Sequence, residues 1–345
     1  MPARRAQTIP PAAPRVRLRT PAQIVASLPY LLGFHPRESL VLIGLGGTPC
    51  TVRLTVRVDL PPAEGRQPVA EHLAAHLAHA GAGEVLAVVV TDTEPPAAGE
   101  QEVVAAIRAA VGSRRIQLTD ALCLRAGRWR SLVCRDASCC PPEGTAVDPS
   151  AASELAAVSV VLGEVVHASR EDLETTLRPV AGADRAELDR TFEWVSRQLV
   201  TELAERGWEA VAEDSVTLLA EAVADRVEGC DALTPAVVAR LSLGLGDVRV
   251  RDRVLTWADG ELASAAESLW VELARRATPP YGAAPATLLA AHAYLRGNGA
   301  YARVALDRAL ASDPAYSLAA LLSEGLDRGV PPRALREALV ESQAA

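Results

Sequence analysis

The sequence predicts a mixed α+β fold, in which a mixed N-terminal β-sheet with flanking helices is followed by an all-α domain. The chain has 345 residues, 49% of them hydrophobic, which is long enough for two domains with separate cores. Strand-like and helical runs alternate up to residue 148, and capped amphipathic segments fill the rest. We therefore expect a disordered tail at 1–18, rich in Arg and Pro, an α/β domain at 19–148 and an acidic helical domain at 150–345.

The first elements follow from cap and turn signals. Thr20 precedes a proline and stands three residues before Gln23, a spacing typical of a capped helix start. We expect Pro29 to end this helix. The uninterrupted apolar run Ser39–Leu45 predicts a strand that is buried on both faces. A turn at 46–49, rich in glycine and proline, then predicts a hairpin.

Arginines on two predicted strands are candidates for ligand binding. The returning strand, 51–58, alternates valine or leucine with threonine or arginine, so its polar face presents Arg53 and Arg57 to solvent or to a ligand. Arg128 and Arg130 are expected on one face of a later hairpin. Guanidinium groups bind phosphate or carboxylate through two hydrogen bonds, which favours a small anionic ligand. The alternative is that these arginines lie on solvated strand faces.

The rest of the predicted sheet domain alternates helices and strands. Helices are expected at about 68–80 and 100–111, on either side of a buried strand at 85–90. A hairpin follows, with strands at 116–124 and 129–134 joined by a short turn that contains glycine. This order predicts a sheet with helices packed against it.

Three polar residues are candidates for a catalytic site at one edge of the sheet. Asp92 follows a buried strand, at the edge where open α/β sheets usually place ligands. His35 lies in the turn before the central strand, and Asp59 ends the returning strand. If these loops gather, His35 can act as an acid, a base or a ligand contact. The alternative is a histidine with a structural role only, since no complete catalytic motif surrounds it.

Cysteines form the densest cluster of soft metal ligands. Cys134 is followed by Cys139 and Cys140, and three thiolates in one loop suit zinc or part of an iron–sulfur site. Cys123 is a poor fourth ligand, because the hairpin places it on the order of 13 Å away along the strand. His35 or Cys50 would have to arrive from elsewhere in the fold to supply a fourth ligand. The alternative is that these cysteines only pack.

Three histidines share one face of a predicted helix, at His72, His76 and His79. The first two are four residues apart, as in helical zinc sites, but no glutamate follows the first one as the H-E-x-x-H motif requires. Leu73 and Leu77 mark the buried stripe of this helix. A solvated helix face is therefore the favoured interpretation.

Beyond residue 150 the sequence predicts seven to nine helices in a bundle or an irregular solenoid. The longest is expected at about 184–206. Near the end of the chain, Ala302, Leu306, Ala309 and Pro314 have the spacing of the second helix of a tetratricopeptide repeat. Since one such unit is present, we expect a single tetratricopeptide-like hairpin inside a helical domain that offers a surface to a protein partner.

Charge is distributed unevenly along the chain. The first 150 residues carry 16 arginines against 13 acidic residues, and the rest carry 19 against 30, for a net charge of −8. This balance argues against general nucleic-acid binding and against membrane-surface binding, which need a positive field. Neither a membrane span nor a secretory signal is evident, so we expect a cytoplasmic protein with reduced cysteines.

A long opening stretch and several shorter pieces carry a family resemblance. The opening stretch is RTPAQIVASLPYLLGFHPRESLVLIGL, at 19–45. The shorter pieces are 57–61, the run from 127 through CRDASCCPPEG, 169–171, 297–300 and 305–310. Together they resemble an actinobacterial family known as a domain of unknown function, over almost the whole chain after residue 18. The resemblance implies a host group but supplies no activity and no binding residues.

These features favour a ligand-binding or protein-binding regulatory module over a self-contained enzyme. No motif that binds nucleotides, activates a nucleophile or closes a zinc site is complete. The first alternative is an enzyme of unrecognised chemistry at the sheet edge, with His35, Asp59 and Asp92. The second is a helical interaction scaffold that binds a protein partner.

Overall fold

The computed structural model describes residues 16–92, 99–161, 163–230, 232–258 and 262–344. The predicted tail at 1–18 lies outside these ranges except for its last three residues. Within them the chain forms a six-stranded mixed sheet followed by a region of helices, which confirms the predicted fold class. None of the described helices combines the length and the apolar character needed to cross a membrane.

The strands of the sheet are β1 (Ser39–Gly46), β2 (Thr51–Asp59), β3 (Glu84–Val90), β4 (Gln117–Arg125), β5 (Arg128–Ser131) and β6 (Thr145–Ala146). Their order in the sheet is β2-β1-β3-β4-β5-β6. β3 and β4 are parallel, and the other neighbours are antiparallel. β6 is a short edge strand that the sequence did not reveal. β2 forms the opposite edge and, within the described residues, pairs with β1 alone.

Three helices accompany the sheet: α1 (Pro21–Leu32), α2 (Arg66–His79) and α3 (Gly99–Ser113). The sheet is buried on both faces because residues of β1 and β3 alternate between two layers. Val41 and Val88 pack on the side of α1 and the C-terminal helices. Leu42 and Val89 pack on the side of α2 and α3. The apolar run of β1 therefore forms a strand covered on both faces, as predicted.

The helical region contains eleven described α-helices: α4 (Ser153–Val161), α5 (Arg170–Thr175), α6 (Gly182–Arg206), α7 (Trp208–Val227), α8 (Pro235–Gly244), α9 (Val248–Leu255), α10 (Ala263–Arg276), α11 (Ala283–Leu295), α12 (Gly299–Ser312), α13 (Ser317–Asp327) and α14 (Pro332–Ala344). The predicted number of seven to nine was too low. α5 and α9 have six and eight residues, which is too short to show a clear helical period. The longest predicted helix is confirmed as α6.

α1 continues through Pro29, which corrects the expectation that this proline ends it. The predicted capping box at Thr20 is present. The helix ends instead at Gly33, whose φ of +78° lies in the left-handed region that glycine favours. Leu28 and Leu32 are buried, and burial of each contributes about 1.5–3 kcal/mol. Together these burials offset the cost of about 3 kcal/mol for a proline inside a helix.

α11 and α12 pack against each other across a short connection, as expected for a helical hairpin. Ala302, Leu306 and Ala309, which carry the tetratricopeptide-like spacing, are fully buried in α12. Small buried residues allow two helices to approach closely. The likeness to a tetratricopeptide repeat stays a prediction.

One buried cluster extends across the predicted domain boundary near residue 148. It includes Val88 and Leu122 of the sheet together with Phe192 and Trp270 of the helical region. The sheet and the helices thus share part of their core. The division into two domains stays a prediction.

Candidate functional site

A cleft of about 690 Å³ lies along the open edge of β2. One wall is β2 itself, and a second is the face of α2 that carries His72 and His76. The third wall comes from the helical region, at the connection between α11 and α12 and the segment that follows α13. Its apolar lining includes Leu31, Phe34, Leu73, Leu173, Leu326 and Val330.

The charge of the cleft differs from that of the whole chain. Four arginines line it, Arg53, Arg57, Arg170 and Arg303, against one carboxylate, that of Asp327. The chain as a whole has a net charge of −8. An apolar cavity with an excess of guanidinium groups attracts an anionic group and disfavours a cationic one.

Arg57 is held in a fixed position on β2. Its Nε donates to Ser39 Oγ at 2.8 Å, and its Nη1 lies 2.8 Å from a carboxylate oxygen of Asp59. The guanidinium carbon lies 5.9 Å from the ring centroid of Phe34. Since only 12% of the side chain is exposed, these partners orient the cation at the margin of the cleft.

Two other arginines reach the cleft from different parts of the chain. Arg303 of α12 donates to Ser323 Oγ at 2.6 Å and pairs with Asp327 at the end of α13. Arg53 of β2 donates from Nε to the carbonyl oxygen of Gly46 at 3.2 Å. No carboxylate among the described residues pairs with Arg53. Its remaining donors are therefore available to an anion.

His72 and His76 lie one helical turn apart on α2, with ring centroids 4.3 Å apart. Burial lowers the pKa of His76 and His72 lowers it further, whereas Asp327 raises it. The segment after α13 packs against this helix at Gly329. A Cβ added to this glycine would lie 3.6 Å from the Cβ of His76. The neutral form of His76 is therefore favoured at the point where the sheet region and the helical region meet.

The edge of β2 contributes backbone groups as well as side chains. Seven consecutive residues, Val52–Val58, line the cleft. In an antiparallel pair, the backbone groups of alternate residues point away from the partner strand. Since β2 has no second partner strand within the described residues, these groups face the cleft, where a ligand can pair with them.

Four of the six segments that resemble a known family meet at this cleft. Phe34, Arg57, Arg170 and Gly297 each lie in a different one of these segments, and all four line the cavity. A family profile described as Domain of unknown function (DUF4192) matches residues 21–333. The chain belongs to this family. No curated protein and no solved structure matches it.

In this DUF4192 protein the three predicted catalytic candidates do not line the cleft. Asp59 pairs with Arg57. Asp92 Oδ1 accepts a hydrogen bond of 2.9 Å from the backbone N–H of Ala126, and the backbone N–H of His35 donates to a carbonyl oxygen of the helical region. The start of β1 and the ends of β2 and β3 do lie together at one end of the strands. A catalytic role for the three residues stays a prediction.

Glu38 lies at the same end of these strands and is not among the predicted site residues. Its carboxylate accepts from Thr91 Oγ1 at 2.9 Å and from the backbone N–H of Asp92 at 2.7 Å. Its carbonyl oxygen accepts from the backbone N–H of Leu60 at 2.8 Å. Glu38 thus ties the ends of β2 and β3 to the start of β1.

Arg128 and Arg130, which were also predicted to bind a ligand, lie on β5 and do not line the cleft. Arg128 donates to the carbonyl oxygens of Glu143 at 2.8 Å and Gly144 at 2.7 Å. Arg130 lies 3.4 Å from the carboxylate of Glu100, a side chain that is 5% exposed. These contacts stabilise the region around β5. A role of the two arginines in ligand binding stays a prediction.

The three predicted metal ligands come together after β5. The Sγ atoms of Cys134, Cys139 and Cys140 all lie within 4.8 Å of one another. Among the described residues, this is the one group of three or more His, Cys, Asp or Glu side chains close enough to hold a metal ion, so the histidine face of α2 does not form one. Burial raises the pKa of Cys140 to about 11, although the backbone N–H of Ser131 lowers it.

The side of the cleft that comes from the helical region was not evident from the sequence. Arg170, Arg303 and Asp327 lie far along the chain from β2, and no local pattern connects them with it. The available signal was the family resemblance of 169–171 and 297–300, two segments that the fold brings to the cavity.

Proposed function

We propose that this protein binds an anionic ligand with an apolar portion in the cleft beside β2. The observation that carries the proposal is the excess of arginine in a largely apolar cavity of a chain that is acidic overall. A volume of about 690 Å³ falls in the range typical of small-molecule sites. The ligand-binding module expected from the sequence thus has a concrete candidate site.

The two portions of the ligand would bind for different reasons. The apolar portion covers side chains such as Leu31. This burial contributes about 25 cal/mol per Å² of apolar area removed from water. The anionic group pairs with arginine. Arg57, Arg170 and Arg303 already have carboxylate partners. Arg53 is therefore the residue that gains most from an added anion.

We also propose that the protein works in the cytoplasm of an actinobacterium. All six cysteines are free, as suits a reducing compartment. The opening stretch at 19–45 supports the host group through its family resemblance.

Calorimetric titration with octyl phosphate, compared with octanol, tests the proposed function. We expect octyl phosphate to bind and to raise the melting temperature. Octanol should bind at least about 10-fold more weakly, since a hydrogen bond to a charged group contributes about 1.5–3 kcal/mol. Equal binding of the two compounds, or no binding of octyl phosphate, would show that the cleft does not select an anion.

Variants locate the binding site. Arg53→Ala and Arg303→Ala should each weaken octyl phosphate binding by about 10-fold, because each removes a charged donor from the cleft. Arg197→Ala is the matched control, because Arg197 lies on α6, is 72% exposed and pairs with Glu193. Wild-type affinity in Arg53→Ala, or an equal loss in Arg197→Ala, would contradict the proposed site.

A second candidate function is the binding of an extended protein segment in the same cleft. The specific observation is that seven consecutive residues of the edge strand, Val52–Val58, line the cavity. An extended segment can add to such an edge as a further strand, with main-chain hydrogen bonds providing affinity. Acidic side chains on that segment would pair with the arginines.

A six-residue peptide of alternating valine and glutamate tests this second candidate. It should bind and displace octyl phosphate, since both need the same cleft. A peptide that does not bind, or that binds without displacing octyl phosphate, would exclude the β2 edge as its docking strand.

A further inference from the structure

Three thiols in the loop after β5 form a second candidate site, separate from the cleft. The Sγ atoms of Cys134, Cys139 and Cys140 lie within 4.8 Å of one another, and those of Cys139 and Cys140 are 4.0 Å apart. Thiolates around one tetrahedral zinc ion, with Zn–S bonds of about 2.3 Å, lie about 3.8 Å from each other. The three thiols are therefore close to the spacing that a single ion requires.

Hydrogen bonds hold this loop in shape. The carbonyl oxygen of Asp136 accepts the backbone N–H groups of Cys139 at 3.2 Å and of Cys140 at 2.8 Å. At the other end of the loop, Ser131 Oγ accepts the backbone N–H of Cys134 at 3.0 Å and donates to an aspartate of β4 at 2.7 Å. Both ends of the cysteine cluster are thus positioned by the backbone and by the sheet.

The surroundings of the thiols supply positive charge and an open side. A cavity of about 420 Å³ is lined by Cys134 together with Arg108, Arg130 and Arg135. These guanidinium groups favour the anionic complex that one zinc ion and three thiolates form. Cys134 and Cys139 are exposed, so a further ligand can approach from solvent.

We propose that Cys134, Cys139 and Cys140 bind one Zn²⁺ ion and leave its fourth coordination position to water or to an exogenous ligand. Thiolates are preferred ligands of this ion, and each thiol that binds releases its proton to the solvent. Within the described residues, no other His, Cys, Asp or Glu side chain belongs to the group. Three protein ligands with an open position are typical of zinc sites that exchange ligands rather than of closed structural sites.

Zinc titration of the purified full-length chain tests this proposal. The protein is reduced and stripped with a chelator, and its affinity for Zn²⁺ is measured by competition with a chromophoric chelator. We expect one equivalent of Zn²⁺ per chain. Affinity should fall at least about 10-fold in Cys134→Ser, Cys139→Ser and Cys140→Ser. Cys50→Ser and Cys230→Ser are controls, because both cysteines are exposed and lie outside the cluster.

Thiol alkylation, followed by mass spectrometry, provides a readout that needs no variant. At saturating Zn²⁺, alkylation of the three clustered thiols should slow at least about 10-fold, while Cys50 and Cys230 react at unchanged rates. Binding below one equivalent, equal affinity in the wild type and Cys134→Ser, or alkylation that is insensitive to Zn²⁺ would overturn the proposal.

Discussion

Arg226 is a charged residue buried within the helical region. Its environment determines how much its ion pair contributes to the free energy of unfolding. Its side chain is 2% exposed and pairs with Glu272, which is 22% exposed. Arg276 pairs with the same carboxylate. Arg226 also donates to the carbonyl oxygen of Ala222 at 3.1 Å. Removal of the carboxylate would leave a buried cation without its anionic partner.

Glu272→Ala should therefore lower the free energy of unfolding by about 3–5 kcal/mol, measured by urea denaturation. Glu193→Ala is the matched control, because Glu193 is 70% exposed and pairs with Arg197 one turn away on α6. Its effect should stay within about 0.5 kcal/mol. Similar losses of unfolding free energy in the two variants would mean that burial does not control how much these ion pairs stabilise the fold.

The pH dependence of stability should include a contribution from His76. Burial, together with His72, lowers the pKa of His76 below its ordinary value of 6.5. As the pH falls through the ordinary value of about 6.5, the unfolded chain binds more protons than the folded protein. Acid therefore destabilises the fold. His76→Gln removes this contribution and should lose less stability than the wild type between about pH 7 and pH 5.

Asp327→Asn should have the opposite effect on this pH dependence. Asp327 raises the pKa of His76. Its removal lowers that pKa further and increases the loss of stability on acidification. Urea denaturation at several pH values measures both variants. The same dependence on pH in the wild type and in both variants would contradict the assignment to His76.

At the residue scale, the sequence showed which strands carry arginine but not what each arginine contacts. Arg57 and Arg128 both lie on strands, where arginine faces were expected. Arg57 lines the cleft, whereas Arg128 holds two backbone carbonyl oxygens near β6. The difference arises because β2 is an open edge beside the helical region, and such a neighbourhood is set by tertiary packing rather than by alternation along a strand.

At the scale of elements, the contact between β1 and α2 depends on Gly44. A Cβ at this position would lie 2.6 Å from Cδ2 of Leu77 and 3.1 Å from the Cβ of Ala82. Gly44 is buried in the strand. The helix can therefore approach the sheet closely only where a side chain is absent.

Gly44→Ala should lower the free energy of unfolding by about 1–3 kcal/mol, because the added methyl group overpacks this contact. Gly112→Ala in α3 is the matched control, since a Cβ there would meet nothing within 4 Å. It should raise stability by about 0.5–1 kcal/mol by reducing the freedom of the unfolded chain. Urea denaturation of both variants checks these two predictions. A change in the free energy of unfolding with the same sign in both variants would contradict them.

Elements with a strong period could be predicted from sequence, and those shaped by their neighbours could not. β1 and α6 have long, consistent patterns, and the structure contains both. α1 passes through Pro29 because its buried leucines outweigh a local rule. β6 has only two residues and is defined by its pairing with β5. Its sequence is therefore too short to contain a pattern that predicts a strand.

At the scale of the whole molecule, the cleft is assembled from parts of the chain that the sequence does not connect. β2 and α2 come from the sheet region, and Arg303 and Asp327 come from the helical region. The half of the candidate site on β2 was predicted through Arg53 and Arg57. The other half depends on long-range packing, which alternation and capping signals cannot report.

Hydrogen exchange of the backbone amides, with and without octyl phosphate, tests the location of the ligand most directly. We expect slower exchange in three segments that line the cleft, 52–58, 297–303 and 326–332. The cysteine loop at 131–140 should exchange at an unchanged rate, since it lies outside the cleft. Unchanged exchange in all three cleft segments, or protection confined to other parts of the chain, would contradict the assignment of the cleft as the binding site.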